Sequence, residues 1–388
     1  MSNIGKINVF NLSKQKKLVN KNYFNFILTT EKSSGLLKQV VPDELKNFLI
    51  KRYSSASSNT SSMENSSHRK IHAQRLIKII KKNFKQSFNK KNVLEIGCGT
   101  GYLLSLIKKM GAYVQGLEPS RVKKIKKIDI KNEFFLKKKF NKKFDLILSN
   151  AVLEHEFNPN KFLKKTFKDL NYGGMQFLCV PDYTNLIKNG DPTLINHEHI
   201  SYFTKPSLLF YLKKNKFKNI SIFSDNFGNL YGIGFKRKTK SSKNKNKNKN
   251  QNKNFYFRTD KQYLQNFNNI IKDLNDWIDN RKNYNLGIYG ATSSISTIFS
   301  KIKFEKKKIF IFDSDNEKQG KFVDTFPNFI MKPDKIKKKN IKKILILPYF
   351  YEKDIYKFLK NDIKFDSKNI KCISNFFRTR KKNEYKKI

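Results

Sequence analysis

The run Val93–Gly101, read Val-Leu-Glu-Ile-Gly-Cys-Gly-Thr-Gly, constrains the chain more than any other stretch. A short apolar run followed by glycines at alternate positions describes a buried strand ending in a sharp turn. The backbone of that turn can approach a neighbour closely, because no Cβ stands in the way. Helical spacing follows from Leu103 to Met110, then apolar runs at Tyr113–Leu117, Phe144–Leu148 and Met175–Val180. Strands alternating with helices imply a parallel sheet covered on its faces, an α/β fold. Asn219–Phe223 and Leu230–Phe235 extend the pattern as an antiparallel edge.

A second α/β pattern occupies the C-terminal third. Leu264, Phe267, Ile270, Ile271, Leu274, Trp277 and Ile278 form one apolar helical stripe. Strand Leu286–Tyr289, helix Ser294–Ser300, strands Lys308–Phe312 and Ile341–Leu347, and helix Glu352–Leu359 follow. Between the two patterns lies a Lys/Asn/Ser tract too polar and too self-repelling to build a core. Ser54–Ser67 and the basic stretch from Arg378 have the same character. The domain reading is therefore an N-terminal segment over 1–67, a first α/β domain over 68–237, and a basic linker over 238–254. A smaller α/β domain over 255–377 and a tail over 378–388 complete it.

The charge is extreme, 82 Lys+Arg against 31 Asp+Glu for a formal +51. Such a balance fits nucleic acid or another anionic partner. The lysines are spread along the whole chain, however, and Lys, Asn, Ile and Phe are abundant together, as A/T-rich codons would produce. The reading preferred is compositional, with nucleic acid as the lesser alternative and no RRM-like aromatic signature to support it. No apolar run approaches the ~18 residues that span a bilayer, and no secretory signal is visible. The three cysteines, Cys98, Cys179 and Cys372, make no CxxC pair, which fits a cytoplasmic location and opposes a disulfide framework or a cysteine zinc site.

The chemistry of the glycine turn is more specific. Dinucleotide sites use GxGxxG to seat a pyrophosphate on a helix N-terminus. Here the third glycine comes one residue early and an acid, Glu95, stands on the strand before the turn. That acid suits a cationic amino group better than a diphosphate. The second strand ends at Glu118, placed to accept the hydroxyls of a ribose. Together these residues resemble motif I and the following acid of class I S-adenosylmethionine (SAM)-dependent methyltransferases. The resemblance implies a Rossmann-like fold and SAM as cofactor, held by Glu95, Gly97, Cys98, Gly99, Gly101 and Glu118. Phe144–His155 resembles the fourth-strand motif, whose following loop lines the cofactor cleft, and this brings in Asn150. Leu170-Asn-Tyr-Gly-Gly-Met175 resembles the glycine turn before the fifth strand. The acid that many relatives place after the third strand is missing from Phe134–Lys139, so adenine contacts stay unassigned.

Three later segments resemble a narrower family, C-methyltransferases of keto sugars attached to nucleotides. They are His197-Glu-His-Ile-Ser-Tyr-Phe203, Ile288–Ala291, and Asp313–Gly320 with Leu347–Glu352. That resemblance implies a nucleotide sugar as the acceptor and a smaller Rossmann-like domain at the C-terminus. Gly35–Pro42 and Tyr53 resemble the end of the family's zinc domain, but Glu31 and Ser34 stand where its cysteines would fall. No cysteine precedes Cys98, so a four-cysteine site is impossible and no metal is expected. Asn196 stands where the family has a tyrosine.

Methylation beside a ketone needs a proton removed from carbon, and an imidazole neutral near pH 7 suits that task. The expectation is His199 as general base, supported by Glu198 or His197, with Tyr202 nearby. The spacing is not that of the HExxH zinc helix. Two other readings remain open: an O- or N-methyltransferase using the same base, and a non-catalytic or nucleic-acid-binding protein on the same fold.

Overall fold

The structure is a computed structural model and describes residues 1–14, 22–55, 67–238, 259–279 and 283–377. The Ser54–Ser67 segment, the 238–254 linker and the tail from Arg378 lie largely or wholly outside the described residues. The chain divides into two compact units. One comprises 31–182 and 200–257, the other 1–30, 183–199 and 258–388.

The first unit holds a seven-stranded sheet. Its strands are β1 (Asn92–Ile96), β2 (Tyr113–Leu117), β3 (Asp129–Lys131), β4 (Phe144–Asn150), β5 (Leu170–Pro181), β6 (Lys218–Ser224) and β7 (Asn229–Phe235). The order across the sheet is β6-β7-β5-β4-β1-β2-β3. Strands β1 to β5 run parallel, and β7 reverses direction against both β5 and β6. This is the α/β architecture expected, with the antiparallel edge in place. Side chains alternate between two cores, as the period of a strand requires. Leu94, Ile147 and Leu178 face one core, while Val93, Leu146, Leu148 and Phe177 face the other.

Helices α1 (Ser67–Phe84), α2 (Tyr102–Lys108), α3 (Pro159–Asp169) and α4 (Lys205–Lys214) cover the faces. The buried stripe Ala73, Leu76, Ile80, Phe84 fixes α1 to the second core. Helix α3 starts where Asn158 accepts from the Lys161 amide at 2.9 Å with Pro159 in the first turn.

Two differences from the sequence reading have local causes. Strand β3 was hidden because Ile130 is its lone apolar residue in a lysine-rich run. It is held by its register with Gln115–Leu117. The glycine turn expected at Leu170–Met175 is absorbed into β5. Gly173 donates to the Lys236 carbonyl at 2.7 Å and Lys236 donates back to that of Gly174 at 3.0 Å.

The second unit holds an all-parallel four-stranded sheet of β8 (Asn285–Tyr289), β9 (Ile309–Phe312), β10 (Ile341–Ile346) and β11 (Ile370–Cys372), in the order β9-β8-β10-β11. Helix α5 (Thr259–Ile278) turns Tyr263, Phe267, Ile270, Leu274 and Ile278 inward. The N-terminal strands Ser2–Asn8 and Tyr23–Thr30 pair antiparallel in this unit. They are tied to α5 through Asp260, which accepts from Ser2 Oγ at 3.0 Å and Thr30 Oγ1 at 2.9 Å.

Candidate active site

The turn after β1 takes its shape from its glycines. Gly97, Gly99 and Gly101 have φ of 69°, 53° and 85°, a region that side chains with a Cβ rarely enter. At Gly97 the reason is also packing, since a Cβ there would lie 2.3 Å from Val152 Cγ2. Around Gly99 no described residue lies within 4 Å of where a Cβ would be, so this part of the turn is open among the described residues. The turn is anchored to β2 because the amides of Gly97 and Cys98 both donate to the Leu117 carbonyl, at 2.8 and 3.1 Å.

Glu118 closes the arrangement from the end of β2. Its Oε2 accepts from the Gly99 amide at 2.9 Å, and its Oε1 accepts from Ser120 N and Oγ at 3.0 and 2.6 Å. A carboxylate offers about four lone-pair sites, so one acceptor position remains. Glu95 is nearly fully buried, and its Oε2 has no hydrogen-bond partner among the described residues. Burial first, and the Glu118 charge second, push its carboxyl well above the usual range, with the Leu104 backbone opposing. A buried acid in that state is stabilised by a cation or a donor brought to it. The Cys98 thiol points inward, where a Cβ on Gly116 would come within 2.5 Å of its Sγ. Burial raises its pKa too. What Cys98 offers at the turn is its backbone.

Asn150 ends β4, and the next residue, Ala151, has φ 53°, a strained conformation for a residue with a Cβ. The Asn150 Oδ1 lies 3.2 Å from His72 Nε2, which reaches it from α1. Beyond the bend, His155 Nδ1 lies 3.2 Å from the Tyr53 hydroxyl. Glu154 is buried with no hydrogen bond on either carboxylate oxygen among the described residues, and burial raises its pKa. Tyr202 is fully buried in a two-residue strand opposite Leu37.

The segment 183–199 belongs to the other unit. It carries a short helix, Thr184–Asn189, then Gly190, where a Cβ would strike the Phe267 backbone at 2.3 Å. The Asp191 carbonyl accepts from Tyr263 of α5 at 2.9 Å. Asn196 folds the segment back on itself: its Oδ1 accepts from the Glu198 amide at 3.1 Å and its carbonyl from the His199 amide at 3.0 Å. This Asx turn gives Asn196 a structural task of its own. His197 points into the unit, edge-on to Phe26 with ring centroids 5.2 Å apart. Burial lowers its pKa to about 4, with a hydrogen bond to the Phe24 backbone opposing. Glu198 is largely buried, and His199 is half-buried with its Nδ1 2.5 Å from the Tyr183 hydroxyl. His72 and Tyr183 are partners that the sequence reading missed. His72 stands one helical turn from His68, a spacing that suggests a metal pair rather than a partner for Asn150, and no motif signal singles out Tyr183.

Residues 67–222 match the family described as a methyltransferase domain. The chain carries a SAM-dependent methyltransferase domain. Residues 235–373 match a second family, described as a C-methyltransferase C-terminal domain. A ubiquinone biosynthesis O-methyltransferase of Pelagibacter ubique (strain HTCC1062) is 31% identical over 155 residues, which is 34% of this chain and 63% of that protein. The chain thus spans somewhat less than two thirds of that relative's length. Among solved structures, a putative SAM-dependent methyltransferase from Listeria monocytogenes aligns at 16% identity and TM-score 0.33, covering 40% of this chain and 96% of that one. A Burkholderia thailandensis 1,6-didemethyltoxoflavin-N1-methyltransferase, with bound S-adenosylhomocysteine, aligns at 14% identity and TM-score 0.38, covering 54% and 99%. The cofactor expected for the methyltransferase domain at 67–222 is SAM. The donor set suits it: an unpartnered buried carboxylate oxygen on Glu95, an open turn at Gly99 and a spare acceptor position on Glu118. No described helix is long and apolar enough to cross a membrane.

Proposed function

We propose that the protein methylates the carbon beside a keto group of a nucleotide-linked sugar. The observation that carries this reading is the succession of two matched domains, a methyltransferase domain at 67–222 and a C-methyltransferase C-terminal domain at 235–373. SAM, when bound, would supply an electrophilic methyl group on a sulfonium. Glu95 takes its ammonium group, the turn of Gly97, Cys98, Gly99 and Gly101 allows its close approach at Gly99, and Glu118 accepts from one ribose hydroxyl. Asn150, steadied by His72, lines the same cleft.

His199 removes the proton from the carbon beside the ketone through Nε2, and the resulting enolate carbon attacks the methyl group. The new C–C bond forms as the S–C bond breaks, and the proton stays on the imidazole until solvent takes it. Glu198 stands next to the base in the chain, and the inward-packed His197 supports the loop that presents it. Tyr202, two residues beyond Ile200, completes the expected set. The net charge of +51 favours an anionic acceptor such as a nucleotide sugar.

O-methylation is the second reading, favoured by the O-methyltransferase activity for which the Pelagibacter relative is named. The same base would then deprotonate a hydroxyl. One experiment separates the two: the protein is incubated with methyl-labelled SAM and a panel of nucleotide-linked keto sugars and hydroxylated small molecules. Mass spectrometry reads uptake, and carbon NMR reads the bond formed. Label on a sugar carbon supports the proposal, label on oxygen supports the alternative, and no transfer to any keto sugar removes the proposal.

A further inference from the structure

We propose that Arg75 is the anion-binding residue of the acceptor site, placed to take a phosphate of the substrate. This inference rests on the reading of the acceptor as a nucleotide-linked sugar. The juxtaposition that carries it is a guanidinium laid over an aromatic ring at the ligand-binding end of the seven-stranded sheet. Arg75 Cζ lies 3.6 Å from the centroid of the Phe227 ring.

Both residues belong to the first unit, and the sheet fixes where they lie. Asn229, which opens β7, pairs with Pro181, which closes β5, so the turn 225–228 stands at the carboxyl ends of the parallel strands. Ligands of open α/β sheets bind outside that end. Helix α1 reaches the same end, because His72 lies 3.2 Å from Asn150 at the close of β4. Arg75 follows His72 by about one turn and shares its face. Strand β7 lies three places from β1 across the sheet. At about 4.8 Å per strand that is roughly 14 Å, which sets Arg75 on the acceptor side of a cofactor held by Glu95 and Glu118.

The turn is fixed by its own acid, which is thereby taken up. Asp225 Oδ1 accepts from the Phe227 and Asn229 amides at 2.8 and 2.9 Å, and Oδ2 accepts from Asn229 Nδ2 and the Tyr231 hydroxyl, both at 2.8 Å. Four donors use the roughly four lone-pair sites of a carboxylate, so Asp225 has none left for a guanidinium. Arg75 is half-buried and makes no hydrogen bond or ion pair with a described residue. Phe227 is still 45% exposed, so the lip they form is open. A guanidinium held against a ring keeps its N–H fork in one plane, and a phosphate meets such a fork with two parallel bonds. Nine of the 82 basic residues are arginines. A lysine at this position would carry the same charge without the plane or the fork, so the lysine-rich composition does not account for the feature.

The test uses the full chain saturated with S-adenosylhomocysteine, at physiological salt, where the diffuse lysine field is screened. Calorimetry reads the binding of inorganic pyrophosphate, UDP and uridine. The wild type should bind UDP more tightly than uridine. Arg75→Gln should weaken UDP and pyrophosphate by about 10–100-fold, the range of a lost hydrogen bond to a charged group. Its affinity for S-adenosylhomocysteine should be that of the wild type, and Arg75→Lys should recover part of the loss. Equal UDP and pyrophosphate affinities in the wild type and Arg75→Gln overturn the proposal, as does a wild type that binds neither. A loss confined to S-adenosylhomocysteine also overturns it, by assigning the arginine to the cofactor's carboxylate. If Arg75→Gln does not fold, the wild-type chain labelled with nitrogen-15 arginine is titrated with pyrophosphate. The Arg75 Nε–H signal, assigned by its loss in Arg75→Lys, should then move, and an unmoved signal overturns the proposal. Failure of methyl transfer to every keto sugar would remove the functional reading, while pyrophosphate binding that depends on Arg75 would still establish the anion site.

Discussion

The amide of Gly99 donates to the carboxylate of Glu118 at 2.9 Å, so the glycine turn after one strand and the acid ending the next form a single unit. Gly99 sits at φ 53° with open space where a Cβ would be. Gly99→Val therefore introduces no internal clash. It places a β-branched residue in a left-handed conformation and fills the space a ligand would use. Glu118→Ala frees the Gly99 amide and removes the ribose acceptor. Each change should weaken SAM binding by about tenfold or more, roughly 1.4 kcal/mol. Isothermal calorimetry showing wild-type affinity in both variants would dismiss this cleft as the SAM site.

A hydrogen-bonded cluster occupies the turn where the resembled family has a cysteine knuckle. Tyr211 donates to Glu31 Oε2 at 2.8 Å, Ser34 Oγ binds the same carboxylate, and the Gly35 amide donates to the Glu31 carbonyl at 2.9 Å. Burial, then the Glu31 contact, raises the Tyr211 pKa, so the phenol stays a donor at all ordinary pH. Glu31→Ala leaves a largely buried phenol without this acceptor and should cost about 1–3 kcal/mol. Chelator should leave the wild-type melting temperature where it is. Stoichiometric zinc by elemental analysis, with unfolding on chelation, would contradict this account.

His197 couples stability to pH. Its folded pKa of about 4 lies below the ordinary 6.5, because burial disfavours the charged ring. The unfolded chain therefore binds a proton between pH 6.5 and 4 that the folded chain refuses. The contribution of His197 is full above pH 6.5 and is lost as pH falls through this window, by an amount on the order of 3 kcal/mol. Carboxyls raised by burial, Asp191 to about 6 and Glu156 to about 7, oppose it over part of the range. The difference between the wild type and His197→Phe isolates the histidine. Denaturant titrations from pH 7 to 4 should show a smaller loss in the variant, and parallel curves would refute the assignment.

The sheet of the methyltransferase domain was legible where apolar periodicity is strong. Tyr113–Leu117 was read to the residue, and the antiparallel edge at Lys218–Ser224 and Asn229–Phe235 within a residue or so. Strand Asp129–Lys131 was not, because pairing and close packing against Gly101, not its own pattern, make Ile130 a core residue. The cofactor turn was legible because its glycines obey a local backbone demand. The inward direction of Cys98 was not, since it depends on the bare Cα of Gly116 on the next strand. The His197–His199 segment stood out by the rarity of histidine. Its division of labour did not: His197 turns to Phe24 and Phe26, far away in sequence, and Tyr183 reaches His199 across a loop. Tertiary partners of this kind leave no trace in spacing.

His199→Ala is the most direct test of the chemistry. The side chain is half-buried and belongs to neither core of the sheet, so the fold should persist without it. Glu95, Gly99 and Glu118 lie in the other compact unit, and SAM affinity should therefore equal that of the wild type. Loss of a general base typically lowers the rate by about 10²–10⁴-fold. The drop should appear in kcat on the true acceptor, because the proton transfer belongs to the chemical step and not to binding. A small base such as imidazole, added in solution, should restore part of the lost rate by entering the space vacated by the ring. His199→Ala with near-normal kcat would leave the histidine as a packing partner of Tyr183, and the proton would then have to leave by another group.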